Sequence, residues 1–165
     1  MNVDVGSLQK VELHCHYDGI VDPVMLRAFE ETGASFPVSA DDVEAVLPVA
    51  GYDDFMRWFT VADPGSVELD VFVPALHAHV DRLRAQNVCY TEITTSMPRG
   101  DDDPTDAMRT FVDRVRERER GETQVEFLIQ IGRNGSPETV TAKVERAVAL
   151  HAAGLIAGIV MAGPE

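Results

Sequence analysis

The chain reads as an α/β protein, the first half (about four β/α units) of a TIM-type (β/α)8 barrel. Three observations lead there. Four short β-rich segments alternate with helical stretches in the order strand, helices, strand, helix, strand, helix, strand, and the stretches between are long enough for right-handed crossovers. No G-x-G-x-x-G or G-x-x-x-x-G-K-[ST] loop follows the first strand, where a doubly wound sheet would usually carry one. Two histidines, His14 and His16, stand at the C-terminal end of that strand, which is where barrel proteins keep their chemistry.

Residues 1–9 deliver the chain to the first strand. In Val11-Glu12-Leu13-His14-Cys15-His16-Tyr17-Asp18-Gly19, period-two alternation predicts a short buried strand with Val11, Leu13 and Cys15 on one face and Glu12, His14 and His16 on the other, closed by an Asp18-Gly19 turn. Asp22 and Pro23 make an N-cap and a first-turn proline for a helix carrying Val24, Met25, Ala28 and Phe29, with Gly33 as its stop. Ser39 caps a second helical segment with Asp41, Asp42 and Glu44 near its positive end, and Pro48 breaks it. Phe55 and Phe59 follow at a spacing of four on a third helical piece.

From Ser66 to about Gln86 a long helical stretch spaces Leu76, Val80 and Leu83 for burial, while Pro74 kinks it or marks a late start. His77 and His79 lie on it two residues apart, so they point in different directions and cannot chelate one ion. Val88 to Thr95 is the second strand. Arg99 to Pro104 is a solvated acidic loop, and Pro104 opens a helix striped by Met108, Phe111, Val112 and Val115. Its Arg114 to Arg120 end alternates in sign and faces solvent, and Gly121 closes it. Val125 to Ile131 is the third strand. Ser136-Pro137-Glu138 then caps a helix carrying Val140, Val144, Ala147 and Val148 to a stop at Gly154, with His151 suited to the negative end of its dipole. A fourth strand spans about Ala157 to Ala162 and delivers Gly163.

Composition narrows the function classes. The 165 residues can bury a core as one domain, and 45% hydrophobic with 25% charged residues is ordinary for a globular chain. Fourteen Lys and Arg against 28 Asp and Glu give a net charge of −14, which argues against nucleic acid or an anionic membrane as partner. No apolar run is long enough to span a bilayer, and no signal peptide is visible. Cys15 and Cys89 are too few for a disulfide framework, which fits a reduced, cytoplasmic setting.

On a strand, His14 and His16 project in the same direction and offer two nitrogen donors beside an open mouth, as a divalent metal needs. Two ligands alone are too few for a tight zinc site, and paired histidines are often unrelated surface or core residues. Phe55 and Phe59 read most simply as core packing.

Lys10 to Gly19 resembles the signature Lys-x-Glu-Leu-His-x-His-x-Asp-Gly that opens the adenosine deaminase family of metal-dependent amidohydrolases, and it matches every fixed position. Tyr90 to Ser96 resembles that family's second barrel strand, except that Thr94 and Thr95 stand where an arginine and an aromatic are common; this removes a positive charge near the mouth. The likeness runs over the whole chain but covers only the first half of the family's fold. It implies a zinc ion held by His14 and His16, a purine nucleoside substrate whose ribose end meets Asp18 and whose purine faces the backbone of Gly163, and a pocket wall from Phe55 and Phe59. Arg133 matches a loop arginine of the family. Where the family reads Gly-Asp-Glu, this chain has Gly163-Pro164-Glu165, and Pro164 removes a backbone donor.

The family's third metal-binding histidine, its metal-bound aspartate, the histidine that assists the attacking water and the His-Ala-Gly-Glu segment with its proton-donating glutamate have no counterpart here. The resemblance therefore implies hydrolytic deamination of adenosine or a related purine nucleoside, by a fold of which 1–165 is an incomplete portion, inactive alone and with no catalytic residue of its own. A half barrel leaves two strand edges and an apolar inner face open, which calls for a homodimer or a complementary C-terminal half. Two alternatives stand: a non-catalytic binding or interaction module, and a deaminase of adenine or a modified nucleoside.

Overall fold

The computed structural model describes residues 4–17, 19–31, 38–62, 72–98, 104–118 and 122–163, with the backbone alone for 58–62. Its strands are β1 (Lys10–His16), β2 (Val88–Thr95), β3 (Gln124–Gly132) and β4 (Gly158–Ala162), all parallel and ordered β1-β2-β3-β4. Three helices follow β1: α1 (Pro23–Glu31), α2 (Ala40–Glu44) and α3 (Tyr52–Ala62). A fourth, α4 (Val73–Ala85), leads into β2, and α5 (Pro104–Arg116) and α6 (Pro137–Ala152) make the next two crossovers. A doubly wound sheet reverses its strand order at a switch point. Here each strand joins the same advancing edge, the winding that closes after eight units, so the fold is the first half of a TIM-type barrel.

The local signals act where the sequence places them. Asp22 Oδ1 accepts the Met25 amide at 2.8 Å, and Ser39 and Asp42 form a reciprocal capping box on α2. Pro74 lies in the first turn of α4, where a missing N–H costs nothing, so it marks a start and not a kink; the part of the expected helix before residue 72 lies outside the described residues, as do the Gly33 and Gly121 stops. Gly154, at φ +71°, ends α6 with the Leu155 amide on the Leu150 carbonyl and its own amide on the His151 carbonyl, the paired bonds of a Schellman stop.

The core lies between the sheet and α4, α5 and α6. Thr91, Ile93 and Thr95 register with Val125, Phe127 and Ile129, and all six are buried. Leu76, Val80 and Leu83, the full α5 stripe, and Ala147 and Leu150 close over them. Tyr90, Glu92 and Thr94 alternate with this set on β2, as Glu126, Leu128 and Gln130 do on β3, and they form the inner face of the half barrel.

Four expectations change. Val11 and Leu13 are 58% and 56% exposed, so β1 is not a buried strand: it forms the sheet edge, and register shifts after Lys10 and between Glu12 and Cys15 break its alternation. Val24 and Val148 are exposed, and Leu26 and Leu150 are buried in their helices instead. His151 is held by the Ile156 carbonyl 3.0 Å from Nδ1, a specific bond beyond the dipole. The inner face presents mainly polar side chains on β2 and β3. The open apolar surface of β4 is on the other side, where Ile159 and Met161 are 53% and 63% exposed although their partners Ile129 and Ile131 are buried. Among the described residues no helix is long and apolar enough to cross a membrane.

Candidate functional site

The C-terminal end of β1 is placed by three independent ties. Lys10 Nζ donates to the carbonyls of Gly6, Leu8 and Gln86, pinning the strand's start to the lead-in and to the end of α4. The Tyr17 amide donates to the Thr94 carbonyl at 3.0 Å, and the Gly19 amide returns to the His16 carbonyl at 3.0 Å, closing the turn. Tyr17 is buried edge-on against Phe72 with ring centroids 4.6 Å apart.

Between these ties β1 bulges. Glu12 lies opposite Thr91 and Cys15 opposite Ile93, so three steps of β1 span two of β2. Past the bulge, Cys15 packs toward the core, its Sγ 3.5 Å from His79 Nε2 on α4. His14 and His16 converge, with Nε2 atoms 3.2 Å apart. Burial foremost, and then the neighbouring His14, lowers the pKa of His16, against a hydrogen bond with Gln130. Both effects favour the neutral imidazole, the form that ligates metals.

A cavity of 730 Å³ opens over the pair, bounded by His14, Cys15, His16 and Gly19 of the first unit, Tyr52, Phe55 and Met56 of α3, Gln130 of β3, and Ala162 and Gly163 at the end of β4. Of the residues singled out in the sequence, His14, His16, Phe55 and Gly163 meet here. Asp18 and the Phe59 side chain lie outside what is described. Phe55 is 43% exposed and forms cavity wall, not core. Gly163 has φ +117°, a conformation that side chains resist, and this lets its backbone edge the cavity. Thr94 is buried beside His16 in the β1–β2 register, and Thr95 packs on the helix side. Sequence reading misses Tyr52, Met56 and Gln130. For Tyr52 and Met56 the available signal is their i, i+4 spacing on α3, one turn overlapping Phe55.

The donors fit one zinc ion in part. Two nitrogens about 2.0–2.1 Å from a tetrahedral ion lie about 3.3–3.4 Å apart, and the observed 3.2 Å separation matches that edge. Among the described residues no group of three or more His, Cys, Asp and Glu side chains converges as a metal site. The pair thus supplies one edge of a coordination sphere.

His79 supports the strand from behind. Burial, and then the charge of Arg82, pushes its pKa down to about 4; Cys15 is its described polar neighbour. A native pKa below the unfolded value near 6.5 means that the unfolded chain binds a proton the folded chain refuses. His79 therefore costs no stability above pH 6.5, and the cost grows as pH falls from 6.5 toward 4. Urea midpoints measured across that window should fall on acidification, and the slope should flatten in His79→Gln.

No protein-family model and no curated protein matches the sequence. Solved structures do. The N6-methyl-AMP deaminase from Arabidopsis thaliana superposes with TM-score 0.70 at 21% identity, over 97% of this chain and 50% of that one. An adenine deaminase from Arthrobacter aurescens gives 0.64 at 19%, over 94% and 49%. An amidohydrolase from Burkholderia ambifaria with bound zinc gives 0.69 at 22%, over 98% and 46%. At these identities the likeness is one of fold, and the chain spans about half the length of the structures it matches.

Proposed function

We propose that the chain is the metal-binding first half of a zinc-dependent deaminase that hydrolyses the exocyclic C–N bond of adenosine or a related purine nucleoside. The observation that carries this reading is the 3.2 Å approach of the His14 and His16 Nε2 atoms at the mouth of β1, under a cavity edged by Phe55 and Gly163. The neighbouring folds support it: two are deaminases of adenine-containing compounds, and one holds zinc.

In this reading His14 and His16 hold the zinc ion, and Gln130 orients His16 through its hydrogen bond. When bound, zinc acidifies a water to a pKa of about 7, which suits hydrolysis at an aromatic carbon. Phe55, with Phe59 after it on α3, walls the apolar side against the base. The Gly163 backbone faces the purine, and Asp18 takes the ribose end. Protonation of the ring nitrogen needs a carboxylic acid, and we assign that role to no residue of these 165. A complementary C-terminal half supplies it, and that half, or a second copy, covers the edges of β1 and β4.

Ammonia release from adenosine with added zinc tests this division of labour. The 165-residue chain alone should release none while binding zinc. Turnover by the pure chain would overturn the division. Absence of zinc binding would favour the alternative of a non-catalytic interaction module, to which the lack of a third converging donor among the described residues also points.

A further inference from the structure

A second cavity, of 490 Å³, lies beside the first and shares Gln130 with it. Its walls are Ser96, Met97 and Pro98 just past β2, Gln130 and Gly132 of β3, and Lys143 and Arg146 on α6. Lys143 and Arg146 are one turn apart, so both reach the same side of the helix.

These two cations share one cavity wall. In a chain with twice as many acids as bases, five of the ten described arginines are engaged by carboxylates: Arg27 by Asp41 and Glu44, Arg57 by Asp54, Arg82 by Asp22, Arg84 by Asp81 and Glu122, Arg116 by Glu126. Among the described residues Lys143 and Arg146 form no such pair, and no carboxylate lines their cavity. Two cations in a cavity that Ser96 and Gln130 also line offer charge and hydrogen-bond donors to a tetrahedral dianion.

Gln130 borders both spaces, which sets the two next to each other. Resting on the reading of the first cavity as a purine site, we propose that Lys143 and Arg146 form an anion subsite for the phosphate of a purine nucleoside monophosphate. The base then lies toward His14 and His16, and the phosphate toward α6. The preferred substrate is thus a nucleotide, and the unphosphorylated nucleoside binds more weakly.

Calorimetric titrations of the chain with AMP, adenosine and inorganic phosphate at low salt test the assignment. AMP should bind about tenfold or more tightly than adenosine, a difference of about 1.4 kcal/mol. The double variant Lys143→Gln, Arg146→Gln should erase that advantage and leave adenosine affinity unchanged; circular dichroism checks that it folds. Equal affinity for AMP and adenosine, or an advantage that survives in the double variant, would overturn the subsite. Inorganic phosphate separates the two readings: if adenosine fails to bind but phosphate binds and is lost in the double variant, the purine site falls and the anion subsite stands. If phosphate fails to bind as well, the subsite falls.

Discussion

Replacing both His14 and His16 with alanine should abolish the zinc binding proposed for this chain, and either single replacement should weaken it at least tenfold. The expectation follows from geometry. The two Nε2 atoms span one edge of a tetrahedron, and an edge with one corner removed is a single imidazole with no chelating partner. His16 is the half-buried member, held through Gln130, so His16→Ala should cost more metal affinity than His14→Ala. Gln130→Ala, which leaves both ligands in place but frees the ring of His16, should fall between wild type and the single variants, as partners of ligating histidines usually do. Equilibrium dialysis with elemental analysis reads the occupancy. Zinc retained in the double variant would place the metal elsewhere and remove the ground for a hydrolytic site at β1.

The second large effect is on stability. Phe127 is fully buried on β3, its ring 5.2 Å from that of Phe111 on α5, and it registers with Ile93 at the centre of the sheet. Truncation to alanine removes the transfer free energy of a benzyl group and leaves a cavity that the parallel strands cannot collapse to fill, a loss of about 3–5 kcal/mol. Against a total stability of about 5–15 kcal/mol for a domain, that removes a large share, and at the low end of the range it unfolds much of the population. Phe55→Ala is the control. Its ring is already 43% exposed in the cavity wall, so the urea midpoint should hardly move while purine affinity falls. A Phe55 variant as destabilised as the Phe127 variant would return Phe55 to the core.

These two phenylalanines also mark how far local spacing reaches. Phe127 sits in a β-rich run whose alternate members are buried, and the same logic places Met108, Phe111, Val112 and Val115 on the inner side of α5 and bounds β2 at Val88 and Thr95. Each of those inferences rests on periodicity and caps within one segment. Phe55 is ambiguous in sequence because a helix with an apolar turn can face a core or a cavity, and its own segment does not say which. Alternation alone points Val11 and Leu13 inward. Their exposure comes from the bulge and from the edge position of β1, and neither is a property of residues 10–16 in isolation.

The winding of the fold, the strand that carries the histidine pair and the caps of its helices are thus legible in the amino-acid sequence, because they are written in local spacing and turn chemistry. The cavity is not. Gln130 meets His16, Cys15 meets His79, and Gly163 closes the mouth across separations of 64 residues or more. Contacts of that range exist only after parallel strands have been set side by side in register, and one residue's slip in that register would turn a strand side chain such as Cys15, His16 or Gln130 to the opposite face.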